Sequence, residues 1–276
     1  MVNSPSSQKS GYQRATVPVK RMIAGVLLGR LLRRVVVSNH VWIVAFHRVD
    51  DLAYPNPLTC GITQFEECCE LLARTFRVVP LSQQLDRLGR EDCGGTLSIT
   101  FDDGYLDNFE HAAPILERLG LPATFFVATG FIGTDAVAWW DRELPDTPKW
   151  MSWDQVRSLH SRGFDIGCHT VNHADLGSLA EKDAERELLE SRQRLCRELN
   201  TEIDLFAYPY GGPEHMNAEN LLIVKNSGLR CSLSCHGGVN AINSDPFSLR
   251  RIPINSAGGE TAKDIAYHLL RNMAPL

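Results

Sequence analysis

Apolar runs and charged amphipathic stretches alternate along most of this chain. Runs rich in β-branched and aromatic residues predict buried strands at 41–46, 96–101 and 163–169. Apolar positions at helical spacing predict helices at 107–119, 153–162 and 179–199. Strands that alternate with helices in this way are typical of βα units. The pattern therefore predicts an α/β fold with a largely parallel sheet, in which an active site lies at the carboxyl ends of the strands.

Two adjacent carboxylates end the second predicted strand. Asp102 and Asp103 follow an apolar run and precede Gly104, whose turn can direct the two side chains apart. Neighbouring like charges at the end of a buried strand are unfavourable unless a site uses them. One carboxylate can then bind a cation while the other faces the reacting groups. The alternative is that one of them simply caps the following helix.

Two histidines follow the third predicted strand. His169 and His173 are four residues apart, so that in a turn or a first helical turn they can lie on one face and share a metal ion. With one aspartate they make a set of two imidazoles and one carboxylate, which leaves positions for water, as hydrolytic zinc sites do. Either histidine taken alone fits a structural or surface residue better than a ligand.

A third motif interrupts another apolar stretch at 206–212. Pro209 has no N–H, whereas the N–H of Tyr210 is free to point into a site. A backbone N–H beside a metal ion is the kind of donor that stabilises a tetrahedral oxyanion. Without the other two motifs, this segment fits an ordinary turn.

Taken together, the three motifs are similar to those of a known family. Their order and intervals resemble the polysaccharide deacetylase family (carbohydrate esterase family 4), whose members share the NodB homology domain. The segments that carry the resemblance are Thr100-Phe101-Asp102-Asp103-Gly104, His169-x-x-x-His173 and Tyr208-Pro209-Tyr210-Gly211. The resemblance extends over residues 41–254, and it implies a distorted (β/α) barrel of the NodB homology type.

By this resemblance, each motif supplies part of a hydrolytic site. Asp102 is similar to the general base, and the Tyr210 amide to the oxyanion donor. One divalent metal ion, with zinc as the best match, is implied at Asp103, His169 and His173. Aromatic residues near the strand ends are candidates for stacking on sugar rings: Tyr105, Trp140 and Tyr208, with Trp139 and Trp153 as further candidates. Core packing is the alternative for each tryptophan.

The residue that orients the base departs from the family pattern. Many members carry an arginine in the third motif, where this chain has Ala207. Arg250 or Arg251, next to the late predicted strand, is a candidate to supply the same charge. The sequence leaves the choice between them open.

Many members of the family also have a final motif whose histidine is the general acid. No histidine of this chain matches that motif convincingly. His268 lies in an apparent amphipathic C-terminal helix, and other histidines fall within predicted helices or a polar loop. The candidates that remain are His47 and His236. We favour His47, because it ends the first predicted strand and should emerge at the same edge as Asp102. The alternative for His47 is a residue that orients a metal ligand.

Composition is that of an ordinary globular chain, except near the N-terminus. The 276 residues are 43% hydrophobic and 22% charged, and the net charge of -5 gives no general affinity for nucleic acid. Residues 1–49 contain eight Lys or Arg residues and no acidic residue. We therefore divide the chain into a basic segment at 1–39 and a catalytic domain at 40–276.

The basic segment has two interpretations. Its apolar run at 22–28 is too short to span a bilayer, arginines interrupt its continuation, and no clean signal-peptide cleavage site follows. Residues 20–34 fit a basic amphipathic helix that lies on an anionic membrane. A helix packed on the barrel, with its arginines in solvent, fits equally well.

The eight cysteines do not form the pattern of a disulfide framework. Cys68 and Cys69 are adjacent, and most of the others are scattered. Cys231-x-x-x-Cys235-His236 has the spacing of a second metal site, but no other Cys or His cluster completes it. Free thiols indicate a reducing compartment, the cytoplasm or the inner face of the cell membrane. Export stays open, since many members of the family act on exported polymers.

The leading hypothesis is a metal-dependent hydrolase that removes N-acetyl groups from an N-acetylhexosamine glycan and releases acetate. A metal-dependent hydrolase of another C–N bond, in a small amide or cyclic imide, fits the same metal ligands. A non-catalytic glycan-binding relative is the third hypothesis. The complete aspartate and histidine set argues against it, whereas Ala207 and the missing final histidine leave it open.

Overall fold

The computed structural model of the protein describes residues 40–254. The predicted basic segment at 1–39, with its membrane interpretation, and the helix predicted around His268 lie outside the described residues. Among the helices of residues 40–254, none is long and apolar enough to cross a bilayer.

Short strands, most of them parallel, build the centre of the fold. In chain order they are β1 (His40–Phe46), β2 (Arg48–Val49), β3 (Thr59–Cys60), β4 (Arg77–Val78), β5 (Thr96–Phe101), β6 (Thr124–Val127), β7 (Asp165–Cys168), β8 (Asn240–Ala241) and β9 (Ile252–Pro253). Every residue of β5 and β6 is buried, and so is nearly all of β1. Continuous burial is expected where both faces of a parallel sheet are covered.

The main sheet has the strand order β7-β6-β5-β1-β8, with β4 beside the start of β5 and β9 beside β1. All these pairs are parallel except β1 with β8, and β2 and β3 form a separate parallel pair. Single bridges continue from β7 to Phe206, from Ala207 to Leu233 and from Leu233 to Leu249. The predicted α/β fold of the NodB type is confirmed, although the regular strands of the described residues do not form a closed barrel.

Helices connect the strands and cover the sheet. They are α1 (Ile62–Thr75), α2 (Leu81–Asp86), α3 (Ala113–Leu119), α4 (Trp153–Ser161), α5 (Glu181–Leu199) and α6 (Ala218–Asn226). The helix predicted at 107–119 begins as a π-helical turn, Asn108–Ala112, and continues as α3. The helices predicted at 153–162 and 179–199 correspond to α4 and α5. Ser152 begins α4 with a capping box formed with Gln155.

Stacked aromatic rings hold the central strands in register. Phe46 pairs with Phe101, which pairs with Phe125, and the ring centroids in this row are 5.5 and 4.8 Å apart. Because side chains alternate along a strand, the neighbouring Phe126 packs into a second cluster on the other face of the sheet. The row brings the carboxyl ends of β1 and β5 level, so that His47 and Asp102 emerge side by side.

Truncation of the central ring tests this packing. We expect Phe101→Ala to lower the free energy of unfolding by about 3–5 kcal/mol, because it leaves a cavity between two rings. Leu222→Ala, at a residue that is 60% exposed, should change it by less than about 0.5 kcal/mol. Chemical denaturation followed by tryptophan fluorescence measures both. Equal stabilities of the two variants would contradict the assigned core.

Candidate active site and metal centre

The polar side chains of the three sequence motifs meet at the carboxyl ends of the parallel strands. Asp102 directly follows β5, and its N–H donates to the carbonyl of Phe46 at the end of β1 (3.0 Å). His169 directly follows β7, and its N–H donates to the carbonyl of Val127 at the end of β6 (3.2 Å). The strand pairing therefore brings together residues that lie more than sixty positions apart in the sequence.

Backbone strain is concentrated at this edge. Asp103, Thr170, His173 and Tyr210 all have positive φ angles, between 52° and 74°, and none is a glycine. Such conformations cost on the order of 1–3 kcal/mol each and persist only where the surrounding structure holds them. One restraint is the hydrogen bond from the Ala128 N–H to the Asp103 carbonyl (3.1 Å). Strain of this kind is characteristic of functional sites.

Asp103, His169 and His173 form a buried cluster that fits a divalent metal ion. Oδ1 of Asp103 lies 3.4 Å from Nε2 of His169 and 3.3 Å from Nε2 of His173. This oxygen is buried and accepts no hydrogen bond from any described residue. Ligand atoms bound tetrahedrally to zinc, at bond lengths of about 2.0–2.1 Å, are separated by about 3.3–3.4 Å. The donor types and their spacing therefore match an ion shared by the three side chains.

A hydrogen bond orients the imidazole of His169, and backbone hydrogen bonds hold the loop that carries His173. Nδ1 of His169 lies 2.8 Å from the Ala207 carbonyl, so this nitrogen donates and Nε2 keeps its lone pair towards Asp103. The loop that carries His173 is held by Glu187 of α5, which accepts the N–H groups of Val171 and Asn172 (3.0 and 2.9 Å). The sequence predicted a turn or helical turn here, and the structure shows a loop with two left-handed residues.

The charge states of the cluster also suit a cation. Burial lowers the pKa of His173 to about 4, so the imidazole is neutral at neutral pH. Burial raises the pKa of Asp103, but the neighbouring His173 and His169 outweigh this effect and hold that pKa well below its usual range. A carboxylate anion and neutral imidazoles are the forms that bind metal ions.

Asp102 does not belong to this cluster, and its carboxylate is bound by an arginine. Nη1 and Nη2 of Arg251 donate to Oδ1 and Oδ2 of Asp102, both at 2.7 Å, and the guanidinium is fully buried. Burial raises the pKa of Asp102, but Arg251 and His169 outweigh this effect, so that the pKa lies below its usual value. Of the two candidates left open by the sequence, Arg251 is the one that contacts Asp102, and Arg250 is exposed.

His47 faces Asp102, whereas His236 does not. Nε2 of His47 lies 3.9 Å from Oδ2 of Asp102, and the donor atoms of His47, Asp102 and Cys235 all lie within 4.8 Å of one another. Burial lowers the pKa of His47, but a hydrogen bond with Cys235 and the nearby carboxylates raise it to about 9. Nδ1 of His236 instead contacts the Gly211 carbonyl at 3.0 Å.

Two of the predicted sugar contacts are wrong in this structure. Tyr105 is fully buried, stacks on Trp150 with 4.5 Å between ring centroids, and donates its hydroxyl to Asp141 (2.6 Å). Tyr208 is 1% exposed and packs against Phe206. Neither ring has a face available to a sugar, because strand-end aromatics can turn into the core as readily as towards solvent.

An aromatic rim beside the cluster of Asp103, His169 and His173 is open to ligands. It consists of Trp139, Trp140 and Tyr210, of which Trp139 is 61% and Tyr210 39% exposed. Nε1 of Trp139 donates to the Tyr210 hydroxyl (3.2 Å), and the rings of Trp140 and Tyr210 lie 4.4 and 4.8 Å from His173. Trp153 does not belong to this rim. The guanidinium carbon of Arg194 lies over the Trp153 ring, 4.9 Å from its centroid.

The structure adds two residues that the sequence patterns did not assign to the site. Glu187 lies in a long charged helix, where it is indistinguishable in sequence from the solvent-facing glutamates. Cys235 has the spacing of a metal-site pair with Cys231, but Cys231 is buried in the second core cluster. The one signal in the sequence was the neighbouring pair Cys235-His236 after an apolar segment.

Comparison with known proteins identifies the family of this chain. The family model described as polysaccharide deacetylase matches residues 89–232, just over half of the chain. The chain therefore belongs to the polysaccharide deacetylase family. The regions of resemblance include both the aspartate and the histidine motifs.

Two relatives illustrate the similarity in sequence. YxkH of Bacillus subtilis, named for polysaccharide deacetylation, is 25% identical over 62% of this chain and 54% of its own length. The poly-β-1,6-N-acetyl-D-glucosamine N-deacetylase of Staphylococcus aureus is 27% identical over 57% of this chain and 53% of its own. The chain thus spans about half the length of these relatives.

The solved structures share the fold. The Streptococcus pyogenes deacetylase PplD, in complex with acetate, has a TM-score of 0.69 at 20% identity and covers 86% of this chain and 99% of its own. IcaB from Ammonifex degensii has a TM-score of 0.66 at 22% identity, and the match covers 84% of this chain and 97% of IcaB. These similarities establish the architecture of the described residues.

Metal analysis tests the cluster. Purified protein should contain about one divalent ion per chain, as expected for three protein ligands. His169→Ala removes a buried ligand and should lose most of this metal, whereas His160→Ala, on helix α4, should retain it. Mass spectrometry of the metals in the dialysed proteins measures the difference. Equal metal content in all three proteins would contradict the assigned ligands.

Proposed function

We propose that the protein is a metal-dependent N-deacetylase of an N-acetylhexosamine glycan. The observation that carries this proposal is the pairing of two different carboxylates at one strand end. Asp102 is held by Arg251 as an anion, and Asp103 faces two histidines in a set that can bind a metal ion. A base next to a Lewis acid is the arrangement by which metal-dependent hydrolysis of an acetamide proceeds.

The chain's own groups have distinct tasks in this reaction. When bound at Asp103, His169 and His173, a divalent ion supplies Lewis-acid chemistry for water and for the acetamide carbonyl. The Asp102 carboxylate accepts a proton from the attacking water, and Arg251 fixes the direction of its oxygens. Asp102 remains ionised at neutral pH because its pKa is lowered.

Two further groups act on the substrate as the C–N bond breaks. The Tyr210 N–H has no acceptor among the described residues, so it is free to donate to the oxyanion of the tetrahedral intermediate. His47, protonated and beside Asp102, donates a proton to the departing amine. The products are acetate and a free amino sugar.

The aromatic rim suggests where the glycan lies. Trp139 and Trp140 contact each other edge to face at 5.7 Å, beside the metal cluster. Sugar rings present apolar faces that stack on such indoles. Because one relative is named for poly-β-1,6-N-acetyl-D-glucosamine, this polymer is the first substrate to test, followed by other acetylated glycans and small amides.

Substitution of the proposed base tests the reaction. Asp102→Asn should release acetate from the acetylated glycan about 10²–10⁴-fold more slowly than the wild type, because an amide cannot accept the proton. Its metal content should be nearly unchanged. Asp154→Asn, at an exposed aspartate, is the control and should keep wild-type turnover. Near wild-type turnover of Asp102→Asn, or loss of its metal, would reverse the roles of the two aspartates.

The pH dependence tests the proposed acid. The amine leaves only if His47 holds a proton, so turnover should fall as pH rises through the pKa of His47. That pKa is about 9, and a cation at Asp103 lowers it towards the ordinary histidine value of about 6.5. His47→Ala should slow turnover and flatten this basic limb with metal retained. If His236→Ala has this effect instead, His236 is the acid.

A further inference from the structure

A second cluster of metal-binding groups lies beside the first. It consists of His47 at the end of β1, Asp102 at the end of β5 and Cys235 in the segment after Leu233, and we refer to it as the thiol cluster. Their donor atoms lie within 4.8 Å of one another, and Nε2 of His47 is 3.9 Å from Oδ2 of Asp102. His47 and Cys235 are both partly exposed, so an ion can reach them from solvent.

The backbone around Cys235 is fixed from both sides. Its N–H donates to the Gly211 carbonyl (3.0 Å), and the carbonyl of the preceding Ser234 accepts Nε of Arg251 (2.7 Å). Gly211 has a φ of +61°, and a Cβ there would lie 2.2 Å from the Cys235 nitrogen. A glycine is thus required for this close approach. The thiol is consequently presented to His47 by a rigid loop.

The donor types of the thiol cluster differ from those of the first cluster. Imidazole, carboxylate and thiolate together are typical of zinc ligands, and thiolate also selects soft ions such as cadmium. The first cluster offers only nitrogen and oxygen. In the thiol cluster, a carboxylate and a thiolate would carry two negative charges, and the buried Arg251 offsets one of them. An ion should therefore bind here, but more weakly than at the first cluster.

We propose that His47, Asp102 and Cys235 form a second, weaker zinc site whose occupation blocks hydrolysis. On binding, the thiol and any protonated imidazole release their protons to solvent, and lone pairs of sulfur, nitrogen and oxygen bind the ion without a redox change. The same ion then engages both the proposed base and the proposed acid. The block of hydrolysis rests on the proposed function, whereas the binding of the ion does not.

Cobalt substitution tests the binding independently of activity. Wild-type protein titrated with Co²⁺ should take up a second ion after the first and develop the near-ultraviolet charge-transfer band of thiolate-bound cobalt. Cys235→Ser should stop at one ion and lack the band. Cys196→Ser, at the other cysteine that is not fully buried, is the matched control and should keep both. A band that persists in Cys235→Ser, or a single ion in wild type, overturns the proposal.

A ligand variant of the first cluster distinguishes one site from two. His169→Ala should lose the tightly bound ion but keep the cobalt–thiolate band, because Cys235 does not depend on His169. Loss of the band together with the first ion would mean that the thiol belongs to a single site, and would overturn the second one. Circular dichroism of this variant checks that it is folded.

Zinc titration of acetate release tests the inhibition. Wild-type activity should fall as zinc exceeds one equivalent, and Cys235→Ser should require at least about tenfold more zinc for the same loss, since one ligand is gone. Cys196→Ser should behave as the wild type. Equal inhibition of all three overturns the inhibitory role. If no glycan releases acetate, the proposed function fails, and the cobalt experiment still decides whether the site exists.

Discussion

The buried ion pair between Arg251 and Asp102 is the interaction on which the site depends. It joins the residue that precedes β9 to the end of the central strand β5, with both Nη atoms of the guanidinium on one carboxylate. Nε of the same arginine holds the Ser234 carbonyl, and Nη1 also contacts the Thr100 hydroxyl (3.1 Å). Removal of one partner from such a pair costs about 3–5 kcal/mol, because the other charge is left buried and unpaired. The chain therefore retains a fixed, ionised carboxylate at its centre.

Two adjacent aspartates acquire different properties from this arrangement. Each oxygen of Asp102 accepts one hydrogen bond from Arg251. Asp103, turned by its positive φ, instead has an oxygen that accepts no hydrogen bond from the described residues. The strain of Asp103 and of the His173 loop is maintained by hydrogen bonds from Ala128 and to Glu187. A ligand set that is already assembled spends little of its metal-binding free energy on ordering the chain. Preorganisation of this kind explains why four left-handed residues are tolerated at one edge.

The two clusters are adjacent, since Asp102 and Asp103 are neighbours in the chain, but their donor atoms differ. One is buried and consists of hard and borderline donors, and the other is partly exposed and includes sulfur. Because Asp102 belongs to the thiol cluster and also serves as the proposed base, binding of an ion there competes directly with proton transfer. The aromatic rim lies on the side of the first cluster, beside His173.

The sequence by itself determined the parallel α/β fold and the three motifs. Strand and helix periods are local properties, and Asp102, Asp103, His169 and His173 lie at strand ends that such periods locate. The sequence left Arg250 and Arg251 as equal candidates to orient Asp102. It also predicted that Tyr105 and Tyr208 contact a sugar, whereas both rings are buried in the core. A local pattern cannot distinguish an aromatic ring that turns into the core from one that faces a ligand.

Tertiary structure alone decided the remaining contacts. The contact of Arg251 with Asp102 spans 149 positions, and that of Cys235 with His47 depends on the close approach of two loops at Gly211. The support of the histidine loop by Glu187 likewise depends on how α5 packs against β7. Each of these contacts arises from the strand order and the packing of distant segments, and no periodicity within a segment encodes them.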